Sequence, residues 1–202
     1  MPKYVDHDLR RQELLEALWR VVERDGAGSL SIRTIAAEAR VSKTNVAYYF
    51  PHRLAILMAA AEQVVVQVNG AAKAEFLAQP CLETAIDALS IAVPTTPTRR
   101  RQAEVWLMLM LEGIQSTEVA GVLDAFNGSL LKDYRDGLEL LVANGVLDAS
   151  LDLDLEARRI QALIDGLSLH ILTNEQRLDA SLVRDIVGAH LRTLAPTQGS
   201  VL

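Results

Sequence analysis

Thr44, Asn45 and Tyr48 place two hydroxyls and a carboxamide within five residues, in the stretch KTNVAYYF at 43–50. Such groups are poor nucleophiles and poor acids at neutral pH. Their natural chemistry is hydrogen bonding, and paired donors and acceptors of this kind match the edges of DNA bases. On a helix turning about 100° per residue, Val46 and Phe50 share one face and Tyr48 points away from their midpoint, with Thr44 and Asn45 flanking it. A helix seated in a major groove must have this character, with polar groups outward and apolar anchors inward. Groups suited to phosphate surround it. They are the N–H groups of a helix opening after Ser42, Lys43 beside them, Arg33 on the preceding helix, Tyr49, and Arg53 at the start of the next.

Three short helices are predicted to hold these residues in place. The first spans about 8–24, where Leu14, Leu18 and Val22 repeat at i+4 beside Leu15 and Trp19, and 25–28 (DGAG) stops it. Ser31 caps a second helix with the stripe Ile32, Ile35, Ala36 and Ala39. Ser42 caps a third, which Pro51 terminates after Phe50. Ala36 is small where the second and third helices cross, Val41 fills the turn and Val46 packs one on the other, giving a helix-turn-helix. Six further helices are expected at about 53–78, 82–93, 99–115, 118–143, 154–174 and 181–194, with Asp154 as a cap and a small-residue tail after Pro196. The fold class is therefore all-α with about nine helices, divided into a DNA-binding head at 1–52 and a body at 53–202.

Composition agrees. Half of the 202 residues are hydrophobic and only 4% are aromatic, which suits packed helices better than a β-sandwich. The single cysteine, Cys81, excludes a disulfide framework and Cys-based metal sites. Neither an apolar leader nor a stretch of about 20 apolar residues is present, so no membrane partner is expected and a cytoplasmic location is. Charge is uneven: nine basic and seven acidic residues lie from Lys3 to Arg53, against eleven and nineteen in the remainder. A mildly basic head on an acidic body predicts that only the head meets a polyanion, double-stranded DNA.

In combination, Trp19, Gly26, Ile35-Ala36, Val41-Ser42, Tyr49-Phe50 and Leu57 resemble the N-terminal pattern of the TetR family of transcriptional regulators. The form Ala47-Tyr48-Tyr49-Phe50 is similar to its BetI-like branch. Two positions depart from the pattern. Arg40 stands where the turn usually holds Gly, and Arg53 replaces the Lys that contacts phosphate in the family. Arg40 in a left-handed conformation is strained by very roughly 1 kcal/mol and is placed to contact phosphate itself.

The resemblance implies a homodimeric, ligand-responsive repressor on a near-palindromic operator. It implies a pocket among the middle helices for a small, mostly apolar effector, for which Met58, Trp106, Met110, Glu112, Phe126, Tyr134 and His170 are the candidates. It also implies dimerisation through the last two helices, where Ala162, Gly166, Gly188 and Ala189 permit close packing. No cofactor or metal is expected.

The rival reading is an all-α enzyme using the apolar cavity as its active site. His7, His52, His170 and His190 are scattered, however, and neither an HExxH motif nor a Gly-rich phosphate loop occurs. A protein-binding adaptor would present larger apolar anchors than Thr44 and Asn45. The run 99–101 (RRR) is expected to be a solvated one, and Asp148, Asp152 and Asp154 lack the Gly and terminal Glu of a calcium loop.

Overall fold

The computed structural model describes residues 7–174 and 178–196, with 65–72 as backbone alone, and every regular element among them is helical. The described residues form nine α-helices, as expected, and a 3-10 turn at Ala27–Ser29 that the sequence pattern did not announce. The first is α1 (His7–Asp25), whose inner face buries Leu14, Leu15, Leu18, Val21 and Val22. Gly26 ends it with φ 80°, a conformation that glycine adopts without Cβ strain.

The head is closed by α2 (Ile32–Glu38) and α3 (Lys43–Tyr49). Ser31 and Thr34 form a reciprocal capping box at the start of α2. At its end the Val41 N–H donates to the Ala36 carbonyl at 2.9 Å and the Arg40 N–H to Ala37 at 3.3 Å. This is a Schellman turn with Arg40 at its left-handed position, φ 56°. The departure from glycine is therefore carried by a backbone that does adopt the strained conformation. Ser42 then caps α3, its Oγ accepting the Asn45 N–H at 3.1 Å.

The linking helix α4 (Arg53–Ala78) starts at His52, whose Nδ1 accepts the Ala55 N–H. The body adds α5 (Leu82–Ala92), α6 (Pro97–Gln115), α7 (Thr117–Ala143), α8 (Leu153–Thr173) and α9 (Ala180–Arg192). Three expectations at helix starts and ends are corrected. Asp152, not Asp154, caps α8 by accepting the Leu155 N–H at 3.1 Å, and Asp154 pairs with Arg135 instead. Pro97 opens α6 two residues early under a Thr96 cap, which draws Arg99, Arg100 and Arg101 into the helix as half-buried residues. They are not a solvated run: Arg101 holds Glu104 at 2.8 Å, and Arg99 lines the cavity described below. The small-residue tail after Pro196 lies outside the described residues.

Buried side chains form two clusters. One joins α1, α2, α3 and the first turns of α4, and it also takes in Val105 and Leu109 of α6 and Val119 of α7. The other joins α5, α7, α8 and α9 around Ile86, Leu141, Ile160 and Val187. The head core is thus completed by α6, so the head is packed on the body rather than tethered to it.

Candidate nucleic-acid interface and effector cavity

Helix α3 is anchored by Val46 and Phe50, which are 0% and 1% exposed, while Tyr48 on its far side is 70% exposed. Thr44, Lys43, Ser42, Arg33 and Arg40 are exposed around it. Asn45 is half-buried, and its Oδ1 is buried without a hydrogen-bond partner. Tyr49 stands edge-on to Tyr48 with ring centroids 5.1 Å apart, so its ring braces the Tyr48 side chain. His7, which sequence reasoning passed over, completes this group. Its ring lies 5.8 Å from Tyr48, and its Nδ1 is 3.3 Å from the Tyr49 hydroxyl. No local signal announces a contact across 42 residues.

Glu38 is held by Arg24 at 2.7 Å and Arg20 at 3.0 Å, and those guanidinium hydrogen bonds keep its carboxyl below its ordinary pKa. Arg33, Arg40 and Lys43 take part in no ion pair among the described residues, so the face around α3 keeps their positive charge. Arg53 differs: its Nη1 lies 3.1 Å from Glu112 Oε1 on α6.

The body holds a partly open cavity of about 640 Å³, in the range that holds small organic ligands. Trp106 and Met110 of α6, Phe126 and Tyr134 of α7, and Phe76 of α4 contribute walls. Trp106 and Phe126 pack with centroids 4.5 Å apart. Burial, aided by the charges of Asp165 and Asp133, pushes the Tyr134 phenol pKa well up, so the ring presents a neutral hydroxyl. Among the lining carboxylates, Asp133 is paired with Lys73 at 2.7 Å and Asp136 with Lys132. Asp165 has no such pair among the described residues. Its side chain is open to the cavity and counts as exposed, yet protein crowds its carboxyl and this desolvation raises the pKa.

Of the seven pocket candidates, Trp106, Met110, Phe126 and Tyr134 line this one cavity, whereas the other three are placed elsewhere. Met58 packs against the head core, Glu112 is engaged with Arg53, and His170 is exposed outside the cavity lining. The reason is helix phase. Glu112 and Met108 lie on the side of α6 facing α4, while Trp106 and Met110 face the cavity. Phe76, Asp133 and Arg99 were missed, because a lone aromatic or charge in an amphipathic helix does not reveal which neighbour it meets.

At the expected dimer surface, Ala162 and Ala189 are exposed. Gly166 lines the cavity, and Gly188 is buried within the protomer, where an added Cβ would come 3.3 Å from Ile86 Cδ1. Among the described residues no group of three or more His, Cys, Asp or Glu is placed to hold a metal, and no helix is long and apolar enough to cross a membrane.

Comparison with known proteins agrees with this architecture. The family described as BetI-type transcriptional repressor, C-terminal, matches residues 82–196, more than half of the chain. The transcriptional regulator PksA of Bacillus subtilis is 28% identical over 96% of this chain and 94% of its own. The regulator BetI of Rhizobium meliloti is 26% identical over 95% and 94%. A Saccharomonospora viridis protein assigned as a transcriptional regulator, solved in complex with choline, superposes with a TM-score of 0.79 at 24% identity, covering 92% of this chain and 96% of that one. The helical head with its helix-turn-helix, the cavity-bearing body and these matches lead to one conclusion: the chain belongs to the BetI-type branch of the TetR family of transcriptional regulators.

Proposed function

We propose that this protein is a homodimeric, cytoplasmic repressor that binds a near-palindromic operator and leaves it when a small organic cation with an apolar body fills the cavity. The observation that carries the DNA-binding half is α3 itself. Tyr48 projects with Thr44 beside it, while Val46 and Phe50 fix the helix from below. Thr44, Asn45 and Tyr48 read base edges in this account. Ser42, Lys43, Arg33, Arg40, Tyr49 and Arg53 hold the phosphates.

Two such helices in a dimer would enter successive major grooves about 34–36 Å apart. Leu155, Leu169 and Leu182 are 52%, 48% and 42% exposed on α8 and α9, and with Ala162 and Ala189 they offer apolar surface for a four-helix interface. The effector class rests on the cavity: aromatic walls and the unpaired Asp165 favour a cation. Choline in the Saccharomonospora viridis protein supports the same class. Because α6 both walls the cavity and completes the head core, an occupant that prefers one α6 position shifts the population of head arrangements.

Footprinting on the DNA flanking the protein's own gene tests this reading. Two protected half-sites one helical turn apart are expected, and an unprotected flank together with no selective site elsewhere in the genome would reject it.

A further inference from the structure

Arg53 is the one cation of the proposed phosphate-binding set that already holds a carboxylate among the described residues. Its Nη1 is 3.1 Å from Glu112 Oε1, and its Nη2 is 3.8 Å from Met108 Sδ. The two charged side chains are 39% and 45% exposed, so water and DNA can reach them. An exposed, single-contact pair is weak and exchangeable, whereas a phosphate can engage both guanidinium nitrogens and also releases the counterions condensed on DNA.

Glu112 is not an incidental neighbour. It lies on α6, the helix whose Val105 and Leu109 are buried in the head core and whose Glu104 accepts the Ala27 N–H at 3.3 Å. Trp106 and Met110, on another face of the same helix, line the cavity. Any shift of α6 relative to α4 thus changes the reach of Glu112 toward Arg53.

We propose that Glu112 is a positioning residue of DNA binding: it competes with DNA phosphate for the Arg53 guanidinium and so holds back part of the operator affinity. The inference rests on the reading that the head binds DNA, and it adds that one phosphate contact is restrained from within the chain. A carboxylate that shares Arg53 lowers the number of phosphates the protein neutralises by up to one.

The test is operator affinity over a range of salt concentrations for the full-length wild type, Glu112→Gln, Arg53→Ala and the double variant. Glutamine preserves size and removes the charge. Glu112→Gln is expected to bind about three- to tenfold more tightly near 0.1 M salt, with a salt slope steeper by up to about one. In the Arg53→Ala background the same change should add no slope and little affinity, which separates competition for Arg53 from general loss of negative charge. Weaker binding by Glu112→Gln would make Glu112 a buttress and overturn the proposal. An equal gain with and without Arg53 would overturn it too. If the wild type binds no sequence selectively, the DNA-binding reading fails and takes this inference with it, a result distinct from selective binding that Glu112→Gln leaves unchanged, which rejects the competition alone.

Discussion

Tyr48 and Val46 lie two positions apart on α3 and on opposite sides of it: Val46 is wholly buried in the head core and Tyr48 is 70% exposed. The burial of one fixes the projection of the other. Tyr48 is further braced by the edge of Tyr49 and by the His7 ring, so its phenol is presented in a narrow range of directions at little further cost in side-chain freedom.

Tyr48→Ala is accordingly expected to weaken specific operator binding by roughly 1–3 kcal/mol and to relax base preference at the positions it reads. Competition binding with single-base operator variants measures both. Unchanged affinity and preference would remove Tyr48 from the reading set.

Lys43 is exposed at the first turn of α3 and has no carboxylate partner among the described residues. Lys43→Ala should weaken binding to all sequences alike and lower the magnitude of the salt slope by about one. A slope that does not move would take Lys43 off the phosphates.

The helix-turn-helix was legible in the sequence because its determinants are local. Ser31 and Ser42 cap helices within three residues of themselves, and Val46 and Phe50 are set by helical period. The phase of the body helices was not. Trp106, Met110 and Glu112 were all pocket candidates, yet the first two line the cavity and Glu112, two positions further along α6, meets Arg53. Which arc of such a helix meets the head and which meets the cavity depends on neighbours distant in sequence. Gly188 fails for a related reason. A small residue signals close approach without saying to what, and here it is Ile86 of the same chain.

Arg40 occupies a left-handed position with φ 56°. Arg40→Gly relieves the Cβ strain and should raise stability by up to about 1 kcal/mol, after discounting the greater freedom of glycine in the unfolded chain. If Arg40 also touches phosphate, the same variant binds DNA more weakly. Urea unfolding and operator titration on one preparation read the two effects separately, and a variant less stable than wild type would contradict the assignment of strain.

Partial desolvation by the surrounding protein raises the Asp165 carboxyl pKa. A carboxylic acid whose pKa is higher folded than unfolded binds more protons in the native state between the two values, so its contribution to stability falls as pH rises through them. Asp165→Asn should therefore match wild type in acid and exceed it in Tm as pH rises above the ordinary carboxylate range. The same variant should lose its response to cationic effectors. A Tm difference independent of pH would mean that the charge of Asp165 carries no such penalty.

The proposed dimer surface separates two small residues. Ala162→Glu places a charge on the exposed face of α8 and is expected to yield monomers in sedimentation equilibrium. Gly188→Ala should remain dimeric, since its Cβ would point into the protomer, toward Ile86 Cδ1 at 3.3 Å and the movable end of Arg192. The opposite pattern would exchange their roles.

The most direct test of the central claim is fluorescence-anisotropy binding to duplexes tiled across the DNA beside the protein's own gene, at low and at physiological salt. A DNA-reading head predicts one tight, sequence-selective site whose affinity falls steeply with salt. Uniform weak binding across every duplex, or none even at low salt, would contradict it.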